Sequence, residues 1–297
     1  MANENLNMAR TNKKDEFYTQ LRDIESEMQH YQQHFKNKVI YCNCDDYRYS
    51  NFWKYFKDNF NQIGIKKLVS TCYIANGNGL KAVYDGTKTD IEELIGDGNF
   101  NSEECANVLK GADIVVTNPP FSLFREYIKL LEDANKDFLV VGSLNAITYK
   151  DFFPLIKDNK IWLGNNQGQF TFKVPMEFEQ NNTFTKDDKK YAKFGNIAWY
   201  TNLDLNRKHK DITLEEEYNV ANYSKYNDYD IINVDKVNKI PKDYRGIMGV
   251  PITFIHRHNP NQFKILGLAN SARWIGHKCI TIIDDRKVYN RVLIQKV

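Results

Sequence analysis

The first half of this 297-residue chain predicts an α/β fold of the doubly wound kind, a mostly parallel sheet with helices on both faces. Three observations carry that expectation. Continuous apolar runs, rather than alternating ones, recur at 38–43, 67–74, 112–117 and 137–142, the pattern of strands covered on both faces. Segments with apolar residues at steps of three and four separate them, the spacing of amphipathic helices. Composition permits the burial: 42% of residues are apolar, with 18 Tyr, 18 Phe and 4 Trp, so a chain of this length can build a sizeable core.

The elements follow in order. After a polar leader, Leu21, Ile24, Met28, Tyr31 and Phe35 predict a helix from Thr19 to Phe35. Lys38 to Asn43 reads as the first buried strand. Ser50 is a good cap for the next helix, whose apolar side is Phe52, Trp53, Phe56, Phe60 and Ile63. Lys67 to Ile74 is the second strand. Thr89-Asp90-Ile91-Glu92 has a capping-box pattern and predicts a brief helix ending near Gly96, and Ser102 caps another through Leu109. The run 112–117 stops at Asn118-Pro119-Pro120, because proline cannot continue a ladder. A helix from Ser122 to Ala134 and a strand from Asp137 to Gly142 complete the alternation.

The rhythm changes after about residue 158. Lys160 to Leu163, Phe170 to Val174 and Ile197 to Thr201 are separated by Asn/Gly/Gln-rich stretches and predict antiparallel strands, a character repeated at Ile252 to Ile255, Phe263 to Leu268, Cys279 to Ile283 and Val288 to Ile294. The Asp/Glu- and Tyr-rich stretch from Asp204 to Asp235 is the expected crossing between two regions, 1–203 and a β-rich 204–297.

Several classes are excluded. No stretch approaches the ~20 apolar residues of a membrane span and the N-terminus carries no apolar signal segment, so a cytoplasmic location is expected. The five cysteines form no CxxC pair, which argues against a disulfide framework and against a metal site. Charge is uneven: from Lys236 onward there are 12 Lys/Arg against 3 Asp/Glu, a net of +9, leaving −6 for residues 1–235. Aromatics are interleaved with that basic tail, a combination suited to a polyphosphate partner.

The chemistry lies at Asn118-Pro119-Pro120-Phe121. An apolar strand ending there fixes polar groups at the carboxyl edge of a parallel sheet, where ligands bind in such folds. The prolines hold the backbone rigid, so the Asn118 amide oxygen and the Pro119 carbonyl can point at one small donor. An exocyclic amine has two hydrogens to give, and two acceptors favour the transition state in which its nitrogen gains positive charge. Phe121 offers a flat face for an extruded base. About 0.002 chance matches to Asn-Pro-Pro-[Phe/Tyr] are expected from this composition.

Asp113 to Tyr127 resembles the catalytic segment of EcoRI-type adenine-specific DNA methyltransferases. Asp15-Glu16-Phe17-Tyr18-Thr19, Tyr41 to Asp46, Ser50 to Trp53, Thr201 to Asp204, Ile232 to Val237 and Gly249 to Phe254 resemble that family as well. The resemblance implies a class I, Rossmann-like domain using S-adenosylmethionine and acting on double-stranded DNA. It places Phe17, Tyr18 and Thr19 against the methionine part of the cofactor. Asn43, Asp45 and Asp46 fall at its ammonium or ribose, with a turn or helix cap as the alternative role of the aspartates. The adenine moiety falls at Asp97, Asn99 and Phe100, with Phe100 either a stacking ring or a core aromatic. Two departures stand out: the glycine-rich turn common after the first strand of cofactor-binding methyltransferases is absent, an absence the EcoRI-type family shares, and Asn99 stands where aspartate is expected, so Asp97 is the alternative adenine contact.

Target recognition is expected C-terminally, with phosphate contacts among Arg245, Arg257, Lys264, Arg273, Lys278, Arg286 and Lys287. A GAATTC-like site is a further implication of the resemblance; a monomer fits an enzyme that modifies one strand per event, and a cognate restriction endonuclease is a candidate partner. The competing readings are a methyltransferase acting on glutamine or RNA and a non-catalytic DNA-binding protein.

Overall fold

The computed structural model describes residues 18–178, 181–269, 274–275 and 279–297. They form two compact units. The first runs from the start of the described chain to Leu144 and resumes over Gly164–Leu203; the second comprises Asn145–Leu163 and Asp204–Val297. The division differs from 1–203 and 204–297 in that 145–163 joins the second unit.

The first unit is built on a ten-stranded sheet: β1 (Tyr18–Thr19), β2 (Val39–Asn43), β3 (Lys67–Cys72), β4 (Leu80–Tyr84), β5 (Thr89–Glu93), β6 (Ile114–Thr117), β7 (Asp137–Ser143), β8 (Trp162–Val174), β9 (Thr183–Lys186) and β10 (Lys189–Thr201). The order is β1-β8-β10-β7-β6-β2-β3-β4-β5, with β9 paired to β10. Its centre, β7-β6-β2-β3, is parallel. Antiparallel strands extend both ends. Ile40, Tyr41, Val115, Val116, Leu139, Val140 and Val141 are wholly buried, as the continuous apolar runs require.

Helices α1 (Leu21–Met28), α2 (Gln32–Phe35), α3 (Asn51–Asp58), α4 (Phe60–Ile63), α5 (Glu103–Gly111) and α6 (Phe124–Asp133) belong to this unit. Ser50 caps α3, its hydroxyl accepting from Phe52 N and Trp53 N, and Ser102 caps α5 through Cys105 N. The first expected helix is interrupted at 29–31, where His30 N and Tyr31 N bond three residues back. The next breaks at Asn59, whose side-chain amide donates to the Tyr55 carbonyl, a local competitor to helical bonding. The helix expected from Ser122 starts as a 3-10 turn, Phe121–Leu123, before α6.

The helix expected at 89–96 is instead strand β5. Asp85-Gly86 closes a hairpin there: the Asp85 carboxylate accepts from Thr87 N (2.8 Å) and Lys88 N (2.9 Å), and Gly86 has φ +99°. Five paired residues of β4 then outweigh a capping box worth one turn.

From β2 the chain steps to β3, then crosses back over β2 to β6. Right-handed crossovers put α3 on one face and α5 and α6 on the other. Strand order therefore reverses between β2 and β6. Their carboxyl ends, Asn43 and Thr117, flank the crevice where open α/β sheets bind ligands.

The second unit contains α7 (Phe153–Lys157) and a five-stranded sheet of β11 (Ile231–Asn233), β12 (Ile247–Pro251), β13 (Phe263–Ala269), β14 (Trp274–Ile275) and β17 (Arg291–Lys296), ordered β11-β12-β17-β13-β14. A ribbon of β15 (Ile282–Ile283) and β16 (Arg286–Lys287) stands apart. Ile252 to Ile255, expected as strand, is 3-10 helix (Ile252–Arg257). Pro251 has no N–H to extend the ladder, and the tighter turn buries Phe254 and Ile255. Among the described residues no helix is long and apolar enough to cross a membrane.

Candidate active site

Asp45 links three elements at the crevice. Its Oδ1 accepts from the Ser50 hydroxyl (2.6 Å) and its Oδ2 from the Thr117 hydroxyl (2.5 Å), while Thr117 also lies against the Asn43 carbonyl. Asp45 N donates to Thr71 O (3.1 Å), and the Ser70 hydroxyl bonds the Asp45 carbonyl. The carboxylate is 8% exposed. It thereby joins the end of β2, the cap of α3 and the residue before Asn118, a positioning role where the sequence offered a cofactor contact or a turn or cap. Asp46 is half-buried and pairs with Arg48 (2.5 Å).

Behind Asp45 runs a buried polar chain. The Tyr41 hydroxyl and Thr71 Oγ1 are 2.6 Å apart, and Thr71 Oγ1 donates to Asn43 Oδ1 (3.0 Å). This leaves Asn43 Nδ2 buried with no protein partner among the described residues; the same holds for the Tyr127 hydroxyl and Thr19 Oγ1. Burial, then Cys44, Tyr41 and Asp45 nearby, holds the Tyr127 phenol well above the usual tyrosine range, so it stays a donor. Unsatisfied buried polar atoms call for an explanation, and a bound group rich in carboxylate and hydroxyl oxygens supplies one.

The loop after β5 is fixed against the end of β3. Ile74 N donates to Asp97 O (2.8 Å) and Gly79 N to Gly96 O (2.8 Å). Glu104 accepts from Ile95 N and Gly96 N, contacts that hold its carboxyl below the usual range. Gly98 has φ +79°, and a Cβ there would lie 2.1 Å from the Cys72 carbonyl oxygen. Only glycine allows so close an approach. Asp97 is half-buried and accepts from Asn99 N; Asn99 is exposed and accepts from Asn101 N. Phe100 is 5% exposed, its ring edge-on to Tyr127 at 5.1 Å, so it is packed as a core aromatic.

At the turn itself Pro119 is buried and Asn118, Pro120 and Phe121 are half-buried. Asn118 Oδ1 is screened from solvent. Phe121 packs edge-on against Phe172 (6.0 Å, 83°), which stacks with Phe170 (6.2 Å). Thr19 pairs with Phe172 through β1 and β8, and Asn51 Nδ2 donates to the Thr19 carbonyl (2.7 Å). Thus residues near 18, 43, 71, 118 and 172 meet around one crevice. Phe17 lies outside the described residues, and only the backbone of Tyr18 is described.

The family model described as "Adenine-specific methyltransferase EcoRI" matches residues 5–296. The chain belongs to this family. It is 46% identical to the type II methyltransferase M.EcoRI of Escherichia coli, over 99% of this chain and 96% of that protein. It is 41% identical to M.MgeORF184P of Mycoplasma genitalium and 40% to M.MpnI of Mycoplasma pneumoniae, each over 89% of this chain and 86% of the relative. No solved structure matches the chain. Membership makes this protein an adenine-specific methyltransferase.

In the second unit of this methyltransferase, Arg245, Arg257 and Lys264 are exposed, as are Arg286 and Lys287 on the short ribbon. Asp284 and Asp285, with φ +47° and +62°, form its turn. Arg273 and Lys278 lie outside the described residues. The fold also recruits cations that the charge count overlooked. Arg207 and Lys210 line a groove of about 400 Å³ with Ile212, Thr213, Asn238 and Arg257, beside Asp211 and Glu215. Lys208 sits 3.3 Å from the Trp162 ring centre, and burial lowers its pKa. The tract Asn206-Arg207-Lys208-His209-Lys210 was the available signal, hidden inside an acidic stretch.

Proposed function

We propose that this enzyme transfers the methyl group of S-adenosylmethionine to the exocyclic amine of adenine in double-stranded DNA, on a class I, Rossmann-like catalytic unit. The observation that carries the reading is the position of Asn118-Pro119-Pro120-Phe121, at the carboxyl end of β6 where strand order reverses, tied through Thr117 and Asp45 to the end of β2. The cofactor supplies an electrophilic methyl on a sulfonium centre. Asn43 Nδ2, the Tyr127 hydroxyl and Thr19 Oγ1, together with Tyr18 and Phe17, would hold it; the Asp97–Asn99 loop flanks its adenine end. Asp45, bonded to Ser50 and Thr117, braces the Asn118 turn rather than the cofactor, and Asp46 is paired with Arg48.

Asn118 Oδ1 and the Pro119 carbonyl accept the two amine hydrogens. They favour the nitrogen as it becomes cationic, and its proton then leaves to solvent. Phe121 stacks on the extruded base, a contribution of about 1–3 kcal/mol that offsets part of the unstacking cost. Positioning in a partly dehydrated crevice does the remainder. The second unit is the target-recognition region, its exposed cations meeting DNA phosphates. A cognate restriction endonuclease fits the type II naming of the relatives, and a monomer fits an enzyme that modifies one strand per event.

Asn118→Ala tests the mechanism. Nucleoside mass spectrometry of DNA from cells expressing the variant should find no N6-methyladenine, while calorimetric S-adenosylmethionine binding remains near wild type. Normal methylation by the variant would rule the mechanism out. Sequencing the methylated DNA of cells expressing the unaltered enzyme identifies the recognition site.

A further inference from the structure

By charge count the catalytic unit is a poor DNA partner, since residues 1–144 and 164–203 carry 22 Lys/Arg against 25 Asp/Glu, a net of −3. The fold nevertheless gathers lysines onto one ribbon of that unit. β9 and β10 form a hairpin closed by Asp187-Asp188, both left-handed at φ +48° and +54°, the two-residue turn whose twist matches its strands. The register sets Lys186 opposite Lys189 and Phe184 opposite Tyr191. Side chains alternate between faces along a strand, so these four share a face with Lys193, two residues beyond Tyr191. On that face the Phe184 and Tyr191 rings stack, with centres 5.5 Å apart and planes at 21°, and Lys193 Nζ lies 5.2 Å from the Phe184 ring centre.

Phe184, Lys186, Lys189 and Lys193 are exposed. Like charges directly opposite across a ladder are destabilising. Among the described residues none of these three lysines forms an ion pair. The repulsion is relieved when an array of anions lies along the face. At its inner end Phe194, next to Lys193, packs on Phe172 at 5.7 Å, and Phe172 packs on Phe121 at 6.0 Å. From the Asp187-Asp188 turn to Phe194 the strand runs roughly 20 Å, at ~3.3 Å per residue, a reach comparable with the width of a duplex.

We propose that the β9–β10 hairpin is a second, sequence-independent DNA contact, laying its lysine and aromatic face along the phosphate backbone beside the target adenine. It rests on the DNA-methyltransferase reading above. Lysine ammonium groups are point charges that attract phosphate without reading bases, so the catalytic unit grips DNA independently of the recognition region.

The test is the full-length triple variant Lys186→Gln, Lys189→Gln, Lys193→Gln, titrated with a random-sequence duplex at several salt concentrations. Its log–log salt slope should be shallower than wild type by about 0.9 per phosphate no longer neutralised, about 2.7 for three. Over 50 to 200 mM salt, wild type should then lose about 40-fold more affinity than the variant. S-adenosylmethionine binding should be unchanged. The matching triple Arg variant, which keeps the charges, should retain the wild-type slope; loss of slope there too would assign the effect to folding and overturn the proposal. A Gln variant with the wild-type slope overturns the hairpin contact alone. Failure of the unaltered enzyme to bind duplex DNA even at low salt overturns the DNA reading and the hairpin contact with it.

Discussion

Replacing Asp45 by alanine should loosen the catalytic turn from beneath. The carboxylate is 8% exposed and receives one hydroxyl hydrogen on each oxygen, from Ser50 at 2.6 Å and from Thr117 at 2.5 Å. A hydrogen bond to a charged group contributes about 1.5–3 kcal/mol net, so losing both costs about 3–6 kcal/mol. The Thr117 hydroxyl can turn to the Asn43 carbonyl and Ser50 retains its cap to Phe52 and Trp53, which sets the expectation near 3 kcal/mol. Asp45→Asn separates shape from charge. Ser50 Oγ already accepts from two backbone amides, so it must donate to residue 45, and the new amide oxygen must face it. The amide nitrogen then faces Thr117, whose hydroxyl turns to the Asn43 carbonyl. Both contacts survive at neutral strength, at a cost of about 1–2 kcal/mol. Urea unfolding at constant m-value reads both numbers. The alanine variant should also lose kcat with little change in KM for either substrate, and the asparagine variant should keep most of it. An Asp45→Ala protein within about 0.5 kcal/mol of wild type would refute the strut.

Gly98→Ala forces a Cβ to 2.1 Å from the Cys72 carbonyl in a left-handed backbone; with at least about 1–2 kcal/mol of strain the 96–100 loop must shift, and KM for S-adenosylmethionine should rise while DNA affinity holds. An unchanged KM would separate that loop from the cofactor. Phe121→Ala removes about 1–3 kcal/mol of base stacking, so kcat/KM for duplex substrate should fall about 5- to 150-fold, and less on a substrate whose target adenine is mismatched and already unstacked. Equal losses on both would argue against a stacking role. Burial holds the His258 imidazole below its usual pKa while its Nε2 donates to the Phe263 carbonyl (2.8 Å). The unfolded state therefore binds the proton more readily; the stabilisation is complete above the unfolded pKa near 6.5 and is lost as pH falls below it toward the folded value. His258→Gln, which keeps a donor, should flatten that acid loss in urea titrations; an identical pH slope would exclude His258 as its source.

The turn at residues 118–121 was legible because proline acts locally: Pro119 and Pro120 end β6 whatever surrounds them. The buried strands were equally readable, since unbroken apolar runs have few other places to go. The hairpin at β4 and β5 was misread where a capping-box pattern competed with an Asp-Gly turn, a contest decided by pairing with β4 rather than by residues 89–92 themselves. Ile252 to Ile255 is a parallel case, strand-like in composition but coiled into a 3-10 helix once Pro251 ends the ladder and burial of Phe254 and Ile255 rewards the tighter turn.

The sequence by itself determined the place of the turn, the family and the parallel centre of the sheet, because each rests on short-range order of residue types. Only the tertiary structure decided that Asp45 braces the turn, that Phe100 is core, and that Asn43, Tyr127 and Thr19 keep buried polar atoms with no partner among the described residues. Those properties depend on which atoms remain unpaired after packing. Charge shows the same division: the −6 and +9 of the two regions are sums over sequence, whereas the lysine face of β9 and β10 exists only because strand register and alternation place 186, 189 and 193 together.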